Sequence, residues 1–213
     1  MSNVWPLVHA ERRALIDDLA DVDEAAWGEP SLCEEWTVHD VAAHLVDSAR
    51  TTRLRLQPRA GTRPVRLRPV ERPWRRPRAR HVPRRDPRPT AEVRSADVVS
   101  PAPLDSTLVE EIGHGEDIRR PLGLTRAYPV EAVSRALQLQ ARTAGSSAAR
   151  ASCWRQPARG HRRRVALGDG PPVRGPVLSL VLVACGRGVA LNELSGPGVR
   201  DLGARMPDVT RRG

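Results

Sequence analysis

The 213-residue sequence lacks lysine and phenylalanine and contains a single tyrosine, so all 35 of its basic residues are arginine. Its three cysteines, Cys33, Cys153 and Cys185, share no CxxC spacing, and neither a disulfide framework nor a cysteine-built zinc site is predicted. No apolar run approaches the length of a membrane span, and the first residues contain no apolar signal core. We therefore expect a cytoplasmic protein with no membrane partner.

The formal net charge of +10 would normally indicate a nucleic-acid or anionic-membrane partner, but the charge is concentrated in two windows. Fourteen arginines and two acidic residues give residues 53–89 a charge of +12, and six arginines without an acidic residue add +6 at 150–164. The rest of the chain then has a charge of −8. The body of the protein is therefore acidic.

Apolar spacing and capping residues predict several helices. Val4, Val8, Leu15 and Leu19 form one amphipathic stripe, and Thr37, three residues before an aspartate, starts a second helix that ends near residue 50. A third helix is expected from about 104 to 119 and a fourth after 129. The apolar run 177–185 fits either a helix or a strand, and residues 189–191 are predicted as a short strand.

Glu110 and His114 lie four apart on the third predicted helix, so both side chains project from one face. His44 lies on the inner edge of the second helix. Two imidazoles and one carboxylate suit zinc or a similar divalent ion and leave coordination positions for a substrate. From these residues alone, a solvated helix face and a hydrogen-bonded core histidine remain the more common interpretations.

Further residues around this set follow a pattern similar to that of a known family. Residues 36–44 follow the pattern W-T-x-x-D-x-x-x-H, and Asp117 stands three residues after the E-x-x-x-H pair. In this combination the chain resembles the mycothiol-dependent maleylpyruvate isomerase family, a branch of the DinB-like metalloenzymes. The resemblance covers about residues 1–52 and 101–142 and, more loosely, 167–206. It implies a mainly α fold, with a DinB-like four-helix bundle within 1–142 and a small α+β lobe at 143–213.

The resemblance also implies a site and an activity. His44, Glu110 and His114 correspond to the ligands of a divalent metal, with zinc as the expected ion, and mycothiol is the expected thiol cosubstrate. The thiolate would add to the cis double bond of maleylpyruvate, allow rotation and leave, which gives fumarylpyruvate. Related proteins are expected to transfer the thiol to other electrophiles, so the partners implied are a small thiol and an electrophilic substrate.

Other residues receive further roles, some of them with an alternative. Asp117 would accept a hydrogen bond from a ligand imidazole, with an ion pair to Arg119 or Arg120 as the alternative. Arg187 is a candidate catalytic residue that would bind a substrate carboxylate, with a solvated turn residue as the alternative. Trp36 and Cys33 are assigned to packing.

Two windows, 53–100 and 145–164, depart from the family pattern. Arginine, proline, alanine and glycine fill both windows, where the family requires the third helix of the bundle and the first strand of the C-terminal lobe. GC-rich triplets read out of phase encode these residues, so we predict compensating frame changes, with a corrupted third helix and the activity at risk. The alternatives are a nucleic-acid-binding arm, disfavoured by the scarcity of stacking aromatic residues, and a non-catalytic metal-binding scaffold.

Overall fold

The computed structural model describes residues 3–50, 104–143, 171–204 and 206, together with the backbone of 152–155 and 164–167. These residues are mainly helical, as the sequence predicts. The α-helices are α1 (Trp5–Asp18), α2 (Val38–Arg50), α3 (Asp105–Arg119), α4 (Val130–Thr143), α5 (Val177–Ala184) and α6 (Gly198–Ala204). The 3-10 helices are Glu24–Gly28 and Gly188–Glu193, and the strands are β1 (Ser152–Arg155) and β2 (Arg164–Leu167).

The chain divides into two compact units, Met1–Ala127 and Tyr128–Gly213. Helices α1 to α3 belong to the first unit, and β1, β2 and helices α4 to α6 belong to the second. The sequence-based division after residue 142 would place α4 with the first three helices, whereas α4 is part of the second unit here. The window 53–100, where the third bundle helix is predicted to be corrupted, lies outside the described residues.

Helix α2 begins as its sequence predicts. The Thr37 hydroxyl accepts a hydrogen bond from the backbone N–H of Asp40 at 3.2 Å, and the Asp40 carboxylate accepts one from the backbone N–H of Thr37 at 3.0 Å. This reciprocal arrangement satisfies two N–H groups at the start of the helix. The buried face of α2 joins a core of Leu15, Leu19, Trp27, Val38, Val41, Ala42, Leu45 and Ile118. The start of α2 is therefore fixed, which also fixes the direction of His44.

Helix α3 lies against both α1 and α2, and 11 of its 15 residues are buried. Several of these are charged, and they pair with α1. Arg12 Nε donates to Glu111 Oε1 at 2.6 Å, and Arg119 Nε donates to Asp18 Oδ2 at the same distance. Because buried charges require partners, these ion pairs restrict how α3 can rotate against α1. The opposite face of α3 packs against α2.

In the second unit the apolar run folds as helix α5, which settles an assignment that periodicity leaves open. Pro176, with φ −59° and ψ 140°, precedes its first turn. The strand predicted at 189–191 is wrong, since these residues lie in the 3-10 helix Gly188–Glu193. The backbone N–H of Ala190 donates to the carbonyl of Arg187 at 3.2 Å, so a local bond replaces a strand partner. A three-residue run of β-favouring side chains is too short to oppose such bonds.

Strands β1 and β2 pair antiparallel, with Trp154 opposite Val165. Their backbone pairing gives regular structure to part of the window 145–164. The origin of these residues in another reading frame is a matter of the coding sequence, and it stays a prediction.

Candidate metal centre

His44, Glu110 and His114 come together where α2 meets α3. His44 Nε2 lies 3.2 Å from Glu110 Oε1, and the two imidazole centroids are 5.0 Å apart at an interplanar angle of 75°. One ligand atom from each of the three residues lies within 4.8 Å of the others. The three residues singled out from the sequence therefore form one cluster, although 66 positions separate His44 from Glu110.

The donor set fits a small divalent cation. Nitrogen and oxygen ligands at 2.0 to 2.2 Å in tetrahedral geometry are separated from each other by about 3.3 Å. The His44–Glu110 separation of 3.2 Å agrees with this value. The 4.8 Å limit on the set means that a ligand atom would move by at most about 1.5 Å to reach the same separation. Side-chain rotation supplies such a movement.

Charge and exposure also suit an ion that must exchange with solvent. Burial alone would raise the pKa of Glu110, but the hydrogen bond and the charge of His44, together with the Ser48 hydroxyl, hold that pKa below its usual value of 4.5. The Ser48 hydroxyl donates to Glu110 Oε2 at 2.9 Å. His44 and Glu110 are 31% and 29% exposed, so a small molecule can reach the carboxylate. His114, by contrast, is buried.

Asp117 lies behind His114. Its Oδ2 is 2.9 Å from His114 Nδ1, and the Asp117 side chain is fully buried. A carboxylate at this nitrogen favours the tautomer with a proton on Nδ1 and leaves Nε2 as the ligand atom. Of the arginines considered as alternative partners, Arg119 donates to Asp18 at 2.6 Å and Arg120 donates to Glu116 at 2.9 Å.

The loop before α2 contributes two further side chains to this region. The Trp36 indole centroid lies 5.4 Å from that of His44 and 6.3 Å from that of His114, so Trp36 contacts both imidazoles. Cys33 Sγ donates to Asp117 Oδ2 at 3.0 Å. Glu35, between them, has φ +68°, a left-handed backbone conformation that non-glycine residues seldom adopt. This turn directs the Trp36 ring onto the histidines.

Sequence reasoning assigns Trp36 and Cys33 to packing, and both pack, partly buried, against the hydrophobic core of the first unit. It gives no indication that they also lie beside the histidines. Ser48 follows His44 by four residues on α2, and that spacing is a signal for a shared helix face. No comparable periodic signal exists for Cys33, because a loop brings it to Asp117. Arg187, in the second unit, donates to the carbonyl of Cys185 at 2.7 Å, and His39 Nδ1 lies 3.9 Å from Asp40.

The fold and the cluster define a mainly helical protein with a candidate divalent-cation site between two helices. The family model described as "Mycothiol maleylpyruvate isomerase N-terminal domain" matches residues 8–107, a range that includes His44 and ends three residues before Glu110. Residues 8–107 are thus similar to the N-terminal domain of the mycothiol maleylpyruvate isomerase family. No curated protein and no solved structure matches the chain significantly. Within the described residues, no helix is both long and apolar enough to cross a membrane.

Proposed function

We propose that the chain is a divalent-metal-dependent protein that uses a small thiol, with mycothiol as the expected one, to isomerise maleylpyruvate or to transfer the thiol to an electrophile. The observation that carries this proposal is the convergence of His44, Glu110 and His114 in a chain whose residues 8–107 match the N-terminal domain of this family. We expect zinc as the ion, and we expect a DinB-like bundle with a small C-terminal α+β lobe as the complete fold.

Each residue of the cluster would have a defined role in binding the cation. His44, Glu110 and His114 would hold the cation, and Asp117 would keep the His114 ring oriented. A cation with open positions stabilises the thiolate form of a bound thiol, which is the nucleophilic form. Glu110 is well suited to a ligand role, because its lowered pKa keeps it ionised at neutral pH. Trp36 would shield one side of the histidines from water.

For the isomerase reaction, the thiolate sulfur forms a bond to one carbon of the cis double bond, and the electron pair of that bond moves toward the adjacent carbonyl. Rotation about the resulting single bond and loss of the same thiolate regenerate the double bond in the trans form. No oxidant or reductant is consumed. Arg187 is proposed to bind a carboxylate of the substrate, because a guanidinium can donate two parallel hydrogen bonds to it.

Elemental analysis of the purified full chain tests the metal site. We expect about one zinc-like ion per chain in the wild type and a loss of that ion in His44→Ala and in His114→Ala. His39→Ala is the matched control, because His39 lies on the same helix and next to Asp40 rather than in the cluster. Equal metal content in all four proteins would refute the site.

A second measurement tests the use of a thiol. Cobalt-substituted protein should change its visible spectrum when mycothiol is added, because sulfur ligation alters the absorption of the metal. An unchanged spectrum at saturating mycothiol would favour the non-catalytic scaffold. The nucleic-acid alternative depends on the arginine-rich window 53–89, which lies outside the described residues, and it predicts an affinity for DNA that falls steeply with salt.

A further inference from the structure

A second group of potential ligands adjoins the first and shares one residue with it. Cys33, His114 and Asp117 each offer one ligand atom, and the three atoms lie within 4.8 Å of one another. Cys33 Sγ is 3.0 Å from Asp117 Oδ2 and 3.8 Å from His114 Nδ1, and Asp117 Oδ2 is 2.9 Å from the same nitrogen. This group therefore uses His114 Nδ1, whereas the site with His44 and Glu110 would use Nε2.

The distances are close to those of a tetrahedral site with one sulfur. For a metal–sulfur bond of about 2.3 Å and metal–nitrogen and metal–oxygen bonds of about 2.0 to 2.2 Å, the sulfur–nitrogen separation is about 3.6 Å and the nitrogen–oxygen separation about 3.3 Å. The observed separations of 3.8 Å between Cys33 and His114 and 2.9 Å between His114 and Asp117 differ from these values by less than half an ångström. The separation of 3.0 Å between Cys33 and Asp117 is about 0.6 Å shorter than the sulfur–oxygen separation of about 3.6 Å that the same bond lengths give. Small side-chain rotations would open the triangle enough to admit an ion.

The chemical character of the three donors selects the kind of ion. A cysteine sulfur next to a histidine nitrogen favours thiophilic cations over magnesium or calcium, which prefer oxygen ligands. Asp117 is fully buried, and its carboxylate supplies an oxygen ligand beside the sulfur and the nitrogen. Cys33 is partly exposed, which gives an ion a route to the group from solvent.

We propose that Cys33, His114 and Asp117 form a second cation site, specific for thiophilic divalent ions, that shares the His114 ring with the His44–Glu110–His114 site. Binding replaces the Cys33 S–H bond with a sulfur–metal bond, and the proton leaves to solvent. The ion also takes the place of the proton between His114 and Asp117, and this second proton likewise leaves to solvent. The two sites are therefore coupled, since the hydrogen bond that orients His114 for the first ion is lost when the second ion binds.

This coupling predicts an order of binding. Two cations on one imidazole repel each other, so the second ion should bind more weakly than the first. An excess of a thiophilic ion would then perturb the first site through His114. Cation binding at the second site does not depend on any catalytic activity of the first site, because the two sites share only His114.

Cadmium titration of the full-length protein tests the proposal, because cadmium–thiolate bonds give an ultraviolet charge-transfer band that zinc lacks. We expect about two cadmium ions per chain in the wild type, with the band present. Cys33→Ser, which keeps a hydroxyl donor for Asp117, should abolish the band and reduce the stoichiometry to about one ion. Cys153→Ser/Cys185→Ser should keep the band, because it retains Cys33 as the only thiol.

His44→Ala separates this proposal from the proposed function. It removes a ligand of the first site alone, so the cadmium band should persist while zinc binding at the first site is lost. His114→Ala should remove both. A band that is absent from the wild type, or unchanged in Cys33→Ser, would overturn the second site and leave a plain hydrogen-bonded Cys33–Asp117–His114 network.

A measurement on the wild type alone guards against a variant that fails to fold. Iodoacetamide modification of Cys33 can be followed by mass spectrometry of the corresponding peptide, with and without cadmium. We expect cadmium to slow the modification of Cys33 at least about tenfold, because the sulfur is occupied by the metal. Equal rates in both conditions would refute the site without any substitution.

Discussion

The buried ion pair between Arg12 and Glu111 provides a quantitative test of how α1 and α3 are held together. Their side chains are 3% and 4% exposed, and Arg12 Nε lies 2.6 Å from Glu111 Oε1. Burial raises the pKa of Glu111 to about 7 even though Arg12 opposes this shift. At pH 8 the carboxylate is therefore mostly ionised and depends on Arg12 for compensation.

Arg12→Met removes the cation and keeps most of the side-chain volume. The uncompensated buried carboxylate should lower the free energy of unfolding by about 3–5 kcal/mol at pH 8. That loss is a large part of the free energy of unfolding of a typical domain, which is about 5–15 kcal/mol. The loss should shrink at pH 6, because Glu111 is then mostly neutral in the wild type and has less need of a cation.

Urea unfolding followed by far-UV circular dichroism measures these changes as shifts of the midpoint at constant slope. Arg13→Met is the matched control, since Arg13 is the neighbouring exposed arginine on α1, and it should change stability by less than about 0.5 kcal/mol. Arg12→Met/Glu111→Met should recover most of the lost stability, because two apolar side chains of similar volume replace the pair. If Arg12→Met costs no more than Arg13→Met, the reasoning about a buried charge is refuted.

Three further predictions concern other parts of the chain. Asp117→Asn replaces the carboxylate that orients His114, and it should weaken metal binding about 10–100-fold as measured by chelator competition. An unchanged metal affinity would contradict this role. Gly196→Ala should lower the melting temperature, because φ is +108° and the new Cβ would lie 2.5 Å from a backbone oxygen, whereas Gly203→Ala in α6 should raise it slightly. In metal-free protein, folding raises the pKa of Glu111 from 4.5 to about 7, so the folded state takes up a proton between these values. Stability relative to Glu111→Gln should therefore fall by up to about 3 kcal/mol as pH rises from 4.5 through 7, and urea midpoints that shift in parallel would contradict this.

The elements with strong local signals were predictable from the sequence. Helix α2 follows from its capping residues, Thr37 and Asp40, and from a regular apolar stripe. The Glu110–His114 spacing indicates a shared face on α3, but only the family pattern connects that face to His44. Local sequence propensity does not indicate that Glu110 contacts His44, because the two residues are 66 positions apart in the chain.

The parts that sequence reasoning missed depend on tertiary contacts. Helix α3 has charged residues on the face that packs against α1, and they are buried because Arg12 and Asp18 pair with them. A periodicity argument treats such residues as exposed, so it cannot find this interface. Cys33 reaches Asp117 through a loop, which is secured by a hydrogen bond from the backbone N–H of Leu32 to the carbonyl of Asp117 at 3.1 Å.

The final prediction is that residues 53–100 and 145–164 are encoded out of phase. Arginine and proline density changes abruptly at the edges of these windows, and family-like sequence resumes beyond them. The first window separates His44 from Glu110 and His114, which nevertheless meet in one cluster. Genuine linkers are also rich in proline, but a linker seldom replaces a helix between two halves of one metal site.

The coding DNA provides the decisive comparison for this prediction. Translation of the other two frames across 53–100 should give, in one of them, few prolines, charges of both signs and apolar residues at helical spacing. Such a frame would supply the third helix of the bundle, and the frame-restored chain should then unfold more cooperatively than the chain as written, because that helix covers the apolar faces of its neighbours. If neither frame has these features, the arginine-rich window is genuine. Its affinity for DNA at two salt concentrations then becomes the quantity to measure, since a binding arm neutralises phosphates and loses affinity as salt rises.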